Sequence, residues 1–275
     1  MKTIIVATDF SVASVHAAHY AVDMALDIHA QILLLHVQSL PLIISEVPIP
    51  FDSSPNPFGD AEEELNKLRH HLEKRSQGKI AVTCQVSMGN FSDAIKIINE
   101  GAAPFAVVMG SVGAGGSDNI FMGSFVMMSI ASLKAPLLIV PPEASFTTIG
   151  KIGLACDMVN VTETVPFEQI KEVFKSIKAT LEVLYISSKD ENMYPNVLTQ
   201  TKFMQINLSG LNPQLKIGTN ENIREGLIEF VDKSDIDLLL LIHKVYNFME
   251  SLFHKSTAKQ MVVHPTIPVM ILHQH

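Results

Sequence analysis

The chain reads as an α/β protein made of two repeated halves, and three observations carry that reading. Apolar runs of strand length alternate with helical patterns along the chain, the order expected of a parallel sheet covered by helices. Most of those runs are continuously apolar, as in strands buried on both faces. The pattern is also written twice. "IIVATDFSVASVHAAHYAVDMALDIHAQILLLHVQS" from Ile4 is echoed by "KIGLACDMVNVTETVPFEQIKEVFKSIKATLEVLYIS" from Lys151. Placing Asp9 on Asp157 also brings Ile32–Val37 onto Leu181–Ile186, and "APLLIVPP" from Ala135 resembles "IPVMILHQ" from Ile267.

In the first half, strands are expected at Thr3–Thr8, Ile32–Gln38, Ile80–Val86, Phe105–Gly110 and Leu137–Val140. Ser11 is a good N-cap for a first helix, whose stripe Val15, Ala18, Val22 and Leu26 has helical spacing. A second helix carries Leu65, Leu68 and Leu72, beside (i, i+4) charge pairs such as Glu63 with Lys67. A third follows Asn90, with Ala94, Ile95 and Ile98 facing inward. The second half should repeat strand, polar turn, amphipathic helix and strand, with a further strand at Asp237–Ile242. "PPEAS" at Pro141–Ser145 reads as the linker, since paired prolines cannot continue a central strand. Residues 1–143 and 149–275 are therefore expected to be two domains. "LPLIISEVPIPFDSSPNPFG" cannot be a regular helix, and its Pro41–Pro57 segment is a candidate lid or partner contact.

The bulk numbers bound the function. The 275 residues are 47% apolar, enough for a sizeable core. No apolar run reaches the ~18 residues that cross a bilayer. The opening Met-Lys-Thr leads straight into a strand pattern without a signal peptide, which points to the cytoplasm. The two cysteines, Cys84 and Cys156, give no disulfide framework there. A net charge of −8 argues against nucleic acid and anionic membranes as partners.

The most informative stretch is "MGSVGAGGSDNIFMGSF", Met109–Phe125, with five glycines and no lysine or arginine. It leaves the carboxyl end of the fourth strand, the edge where open parallel sheets bind ligands. A Walker loop needs Gly-Lys-Ser/Thr, and none occurs. The dinucleotide fingerprint belongs to the first strand–helix turn, which here is Thr-Asp-Phe-Ser. The spacing present is Gly110-x-x-Gly113, nine residues, then Gly123-Ser124. Such glycines let backbone wrap a ribose and phosphate, and Gly123-Ser124 would open a helix whose free amides meet an anion.

That spacing, the opening "TDFS" and the closing "LLIVPP" together resemble the universal stress protein family, as a tandem pair. The resemblance implies two Rossmann-like domains of the adenine nucleotide alpha-hydrolase type, each a five-stranded parallel sheet in the order 3-2-1-4-5. It implies an ATP, ADP or AMP site, with or without Mg²⁺, in the first half. Adenine contacts would fall on Ala7, Thr8, Asp9 and Val37, and ribose and phosphate contacts on Met109, Gly110, Gly113, Gly123, Ser124 and Phe125. With no cation in the loop, triphosphate charge would be met by amides, a helix N-terminus and Mg²⁺, with Asp9 or Asp118 holding the ion through waters. The family joins domains through their fifth strands, so one chain would imitate a dimer internally, with a homodimer as a further option.

The second half replaces the glycines by "IHKVYNFMESLFHKST", with His243 where Gly110 would be, so no ATP is expected there. His243, Lys244, His254 and Lys255 leave an anion or an acidic partner group open. His16 and His19 share a helix face but lack a carboxylate or cysteine alongside, and read as packing or surface residues rather than metal ligands. Cys156 reads as a small buried residue, and Met122, Met127 and Met128 as core or interface fillers. No nucleophile paired with a base stands out, so hydrolysis is at most slow. The expected function is an adenine-nucleotide-binding stress-response protein acting through ligand-dependent conformation or partner binding. The alternative is an interaction scaffold with a relic loop. True alpha-hydrolase enzymes carry a serine- and glycine-rich loop after the first strand, which "TDFS" is not.

Overall fold

Alternating strands and helices must bury both faces of each strand, and this chain does so with one continuous sheet. The computed structural model describes residues 1–38, 59–101, 103–111, 124–187, 195–244 and 266–274. The first half runs β1 (Lys2–Ala7), α1 (Val12–Ile28), β2 (Ala30–Gln38), α2 (Gly59–Arg75), β3 (Val82–Met88), α3 (Phe91–Glu100), β4 (Ala106–Gly110), α4 (Ser124–Ser132) and β5 (Leu137–Val140). The second runs β6 (Lys151–Ala155), α5 (Val161–Thr164), α6 (Phe167–Ser176), β7 (Thr180–Ser187), α7 (Pro195–Asn207), β8 (Gln214–Thr219), α8 (Ile223–Ser234), β9 (Leu238–His243) and β10 (Val269–His273). The Pro41–Pro57 segment lies outside the described residues.

The strand order is β3-β2-β1-β4-β5-β10-β9-β6-β7-β8. Each half thus has the order 3-2-1-4-5, with every pairing inside a half parallel. The halves join where β5 and β10 pair antiparallel, with Ile139 opposite Val269 and Leu137 opposite Ile271. A pseudo-twofold relation therefore passes through this seam. It puts the carboxyl ends of the two sets of strands on opposite edges of the sheet.

Local chemistry explains the elements. Ser11 caps α1 by accepting from Ser14 N–H, and Asn90 caps α3 by accepting from Asp93 N–H. The buried face of α1 is broader than the stripe read from sequence. Ala17, Ala21, Met24, Ala25 and Ile28 are buried with Ala18 and Val22, whereas Val15 and Leu26 are half-buried. Small alanines let α1 lie close to the sheet while α2 flanks it, tied by Arg75 to Asp23 at 2.6 and 2.8 Å. In the second half the expected single helix is broken into α5 and α6 by Pro166, which has no N–H and clashes with the preceding turn. One face of the sheet packs α1, α2 and their second-half counterparts, and the other packs α3, α4 and α8.

The linker is held by α1. His16 Nε2–H donates to the Ala144 carbonyl at 2.7 Å, and Tyr20 meets Phe146 edge-on with centroids 5.3 Å apart. His16 thus pins the connection between the halves, which explains it without a metal. His19 on the same helix is half-buried, and burial, then Arg75, pushes its pKa down from 6.5. Among the described residues no three His, Cys, Asp or Glu side chains are grouped to hold a metal ion.

Candidate functional site

Three adjacent strand ends, β2, β1 and β4, meet at one edge of the first half, and they carry most of the residues singled out from the loop and turn motifs. β1 ends at Ala7, and Thr8 N–H extends the ladder to Leu35 O at 2.9 Å. The chain then turns sharply. Ser11 N–H donates to Asp9 Oδ1 at 3.1 Å, and Phe10 sits between them at φ +62°. Thr8 is buried, and its hydroxyl accepts from Phe10 N–H at 3.1 Å. Because Ser14 Oγ donates to Ser11 O, Thr8 donates to Ser14 Oγ at 2.9 Å. These bonds fix the N-terminus of α1 against the sheet edge, with its first amides facing the same side as the strand ends. Asp9 is exposed.

Val37 lies one residue before the end of β2, half-buried, opposite Ser87 of β3. Met109 and Gly110 close β4, opposite Ile139 and Val140. Gly110 lies against α1: a Cβ there would sit 2.7 Å from Ala13 O and 2.8 Å from Ala13 C. Its glycine is therefore required by helix–strand packing, whatever else approaches it. Phe125, in the first turn of α4, is 48% exposed and packs its ring 4.9 Å from Phe91, which opens α3. Ser129 Oγ donates to Phe125 O at 2.8 Å, and Met109 Sδ lies 3.6 Å from the same hydroxyl. Ser124 is the first residue of α4. Gly113, Gly123, Asp118 and Met122 lie outside the described residues.

The structure thus brings Ala7, Thr8, Asp9, Val37, Met109 and Gly110 to one edge, with Phe125 on the helix that follows. Sequence reading missed Ser14, His36 and Phe91. His36 donates from Nδ1 to Thr8 O at 2.8 Å and stacks on Phe10 at 4.6 Å, so it braces the turn from below. Its position next to Val37 was the one available signal. Met127 and Met128 pack on the core as fillers, the latter with Ser92 Oγ at 3.1 Å from its sulfur.

The second half repeats this turn in detail. Cys156 N–H donates to Leu184 O at 2.9 Å, as Thr8 does to Leu35. Val159 N–H donates to Asp157 Oδ1 at 3.1 Å, and Met158 sits at φ +54° in the place of Phe10. What differs is the occupant. Lys244 Nζ reaches both oxygens of Asp157, at 2.6 and 2.8 Å, so the chain supplies its own cation beside the aspartate. His243 stands at the end of β9, where Gly110 stands in β4, and burial lowers its pKa. Cys156 is buried and its thiol is pushed up to about 11, mainly by burial, which keeps it protonated and unreactive. His254 and Lys255 lie outside the described residues.

Among the described residues no helix is long and apolar enough to cross a membrane. No curated protein sequence matches the chain. Among solved structures, a universal stress protein from Archaeoglobus fulgidus is similar over 99% of this chain and 98% of its own, with a TM-score of 0.76 and 15% identity. A functionally unknown protein from Pseudomonas aeruginosa matches over 100% of this chain and 93% of its own, at TM-score 0.64 and 13% identity. A putative universal stress protein from Pseudomonas aeruginosa matches over 99% and 93%, at TM-score 0.62 and 13% identity. At these identities the likeness is one of fold across both halves. Residues 1–141, from β1 through the end of β5, match the universal stress protein family itself. By that match, and by the fold both halves share, the chain belongs to the universal stress protein family.

Proposed function

We propose that the first half binds an adenine nucleotide at the edge formed by β2, β1 and β4, and that the second half does not. The observation that carries this reading is convergence. Of the residues matching the family's nucleotide motif, Ala7, Thr8, Asp9, Val37, Met109 and Gly110 lie at three neighbouring strand ends, and Ser124 and Phe125 open α4. Ala7, Thr8, Asp9 and Val37 would take the base and sugar, and Met109, Gly110, Gly113, Gly123, Ser124 and Phe125 the ribose and phosphates. Backbone amides and helix N-termini are the chemistry available for phosphate, since the loop has no lysine or arginine. Binding of ATP would then lean on Mg²⁺, and ADP or AMP would depend on it less. In the second half, Lys244 pairs with both oxygens of Asp157 and His243 replaces the glycine, and both changes oppose a nucleotide there.

Residues 1–143 and 149–275 act in this reading as two cytoplasmic domains, one binding and one supporting. The output is ligand-dependent conformation or partner binding, with hydrolysis slow at most. Equilibrium binding of ATP with Mg²⁺ to the full chain, compared with Gly113→Val and Gly123→Val, is the test. Loss of binding in both variants is expected, and equal binding by all three proteins sinks the assigned site. The Lys244–Asp157 pair in the second half favours one other reading, an interaction scaffold in which the first loop is also a relic. Protein denatured directly after purification that releases no adenine nucleotide, and that binds none when titrated, would establish the scaffold instead.

A further inference from the structure

The two halves differ at a second place, between α3 and the sheet. In the first half a cavity of about 170 Å³ lies between α3 and the sheet. Its apolar wall is Ile5, Leu33, Leu35, Ala94, Ile97 and Ile98. Two polar side chains, Gln85 and Ser87 of β3, complete it, and no charged residue lines it. Ser87 is buried and Gln85 is exposed, and neither side chain hydrogen-bonds to a described residue. Ile97 is 53% exposed at the rim, so the cavity opens to solvent on the α3 side.

The fold does not require this space, because the second half fills its equivalent. Matching the strand registers and the Asn90 and Asn222 caps, Ile5, Val37, Ser87 and Ala94 correspond to Gly153, Ile186, Gly218 and Gly226. Ile186 occupies the gap between α8 and the sheet. Its side chain lies 2.8 Å from where a Cβ on Gly218 would be and 2.9 Å from that of Gly226. Glycine at both positions leaves room for this side chain. Similarly, Leu184 and Ile236 close on Gly153 at 3.3 and 3.2 Å from its Cβ position. In the first half these positions carry Ile5, Ser87 and Ala94, and Val37 is one carbon shorter than Ile186.

A space of this size is that of a small ring: an engineered apolar cavity of about 150 Å³ binds benzene. The wall favours an apolar body, and the Gln85 amide and Ser87 hydroxyl favour one hydrogen-bonding group on it. The absence of charge in the lining favours a neutral molecule, since an ion would lose its hydration without a partner. We propose that this cavity is a binding site for a small neutral molecule with an aromatic or branched aliphatic body and a single hydroxyl or carbonyl. It adjoins the nucleotide edge, with Ser87 opposite Val37, but is lined by none of the residues assigned to the nucleotide and stands or falls independently of that reading.

Phenol and toluene are suitable probes, titrated into the full ¹⁵N-labelled chain. Saturable shifts of the backbone amides of Gln85, Ser87, Ala94 and Ile97 are expected, with phenol binding several-fold more tightly than toluene. Ser87→Ala should abolish most of that difference while leaving toluene unchanged. Ala94→Leu fills the space and should weaken both probes at least tenfold. Ser87→Ala carries the test by itself if Ala94→Leu does not fold. Absence of saturation up to the solubility limit, shifts confined to other residues, or unchanged binding by a folded Ala94→Leu protein would each overturn the proposal.

Discussion

Gly110→Ala separates two reasons for a glycine. The added Cβ would lie 2.7 Å from Ala13 O, 2.8 Å from Ala13 C and 3.1 Å from Ala13 Cβ. The first of these is about 0.7 Å short of an ordinary contact of ~3.4 Å, so backbone must move. The first turn of α1 is poorly placed to yield. It is pinned by the Ser11 cap, the Thr8–Ser14 hydrogen bond and the Asp9 turn. Forcing such a contact typically costs about 1–3 kcal/mol. At about 2 kcal/mol, and roughly 2–4 °C per kcal/mol for a chain of this size, the midpoint should fall by roughly 4–8 °C. The assay is thermal unfolding by circular dichroism of nucleotide-free protein. Gly150→Ala is the control, since its Cβ would meet only Asp237 Oδ2 at an ordinary 3.7 Å and no loss is expected. An unchanged midpoint for Gly110→Ala, with loss of ATP binding, would refute the packing argument and leave ligand approach as the only reason for this glycine. The same clash makes Gly110 a poor choice for testing the nucleotide site, and Gly113 and Gly123 better ones.

Leu65→Ala removes a fully buried side chain of α2 and should destabilise by about 2–5 kcal/mol, read from the denaturant midpoint. Lys244→Met should cost less than about 1 kcal/mol, because Asp157 is 54% exposed and water screens the pair; a double-mutant cycle with Asp157→Asn measures it, and stronger coupling would mean the second-half site is more enclosed than its surface suggests. A thiol reagent at pH 8 should modify Cys84, which is exposed, and reach the buried Cys156 only on unfolding. His19 and His243 are both held neutral by burial, their pKa values lowered from 6.5. The unfolded chain then binds more protons below about pH 6.5, so stability should fall as pH drops through that value, and His19→Asn should shallow the fall. A pH-independent unfolding midpoint between 7 and 5 would contradict it.

Much of the fold was legible because its signals are local. β5 was read at Leu137–Val140 without error, since Pro136 and Pro141 bracket an unbroken apolar run. Ser11 and Asn90 announced their helices because capping is chemistry between residues three apart. β3 was read two residues early, as an exposed edge strand alternates weakly and its ends carry little pattern. The α1 stripe was read too narrow because alanine signals neither burial nor exposure; only the closeness of β4 shows why Ala17 and Ala21 are alanines. At the site, the turn residues and strand ends were legible from motif and topology. His16 was read as a packing or surface residue, but its partner, the Ala144 carbonyl, lies 128 residues away. Lys244 finds Asp157 across 87 residues, and Ile186 enters a gap opened by glycines on two other elements. Nothing in local spacing encodes such meetings.

The seam between β5 and β10 has a consequence for how the chain behaves on dilution. A pair of separate subunits joined along a strand edge would come apart as concentration falls, and its melting temperature would track mass action. Here the two edges are tethered by one short covalent connection, so their encounter is intramolecular and its effective concentration is set by the linker rather than by the cell. The joint is thus always formed when the chain is folded. The two halves need not be identical, and they differ at the strand-end edge, where Lys244 pairs with Asp157 in one half and Asp9 stands exposed in the other.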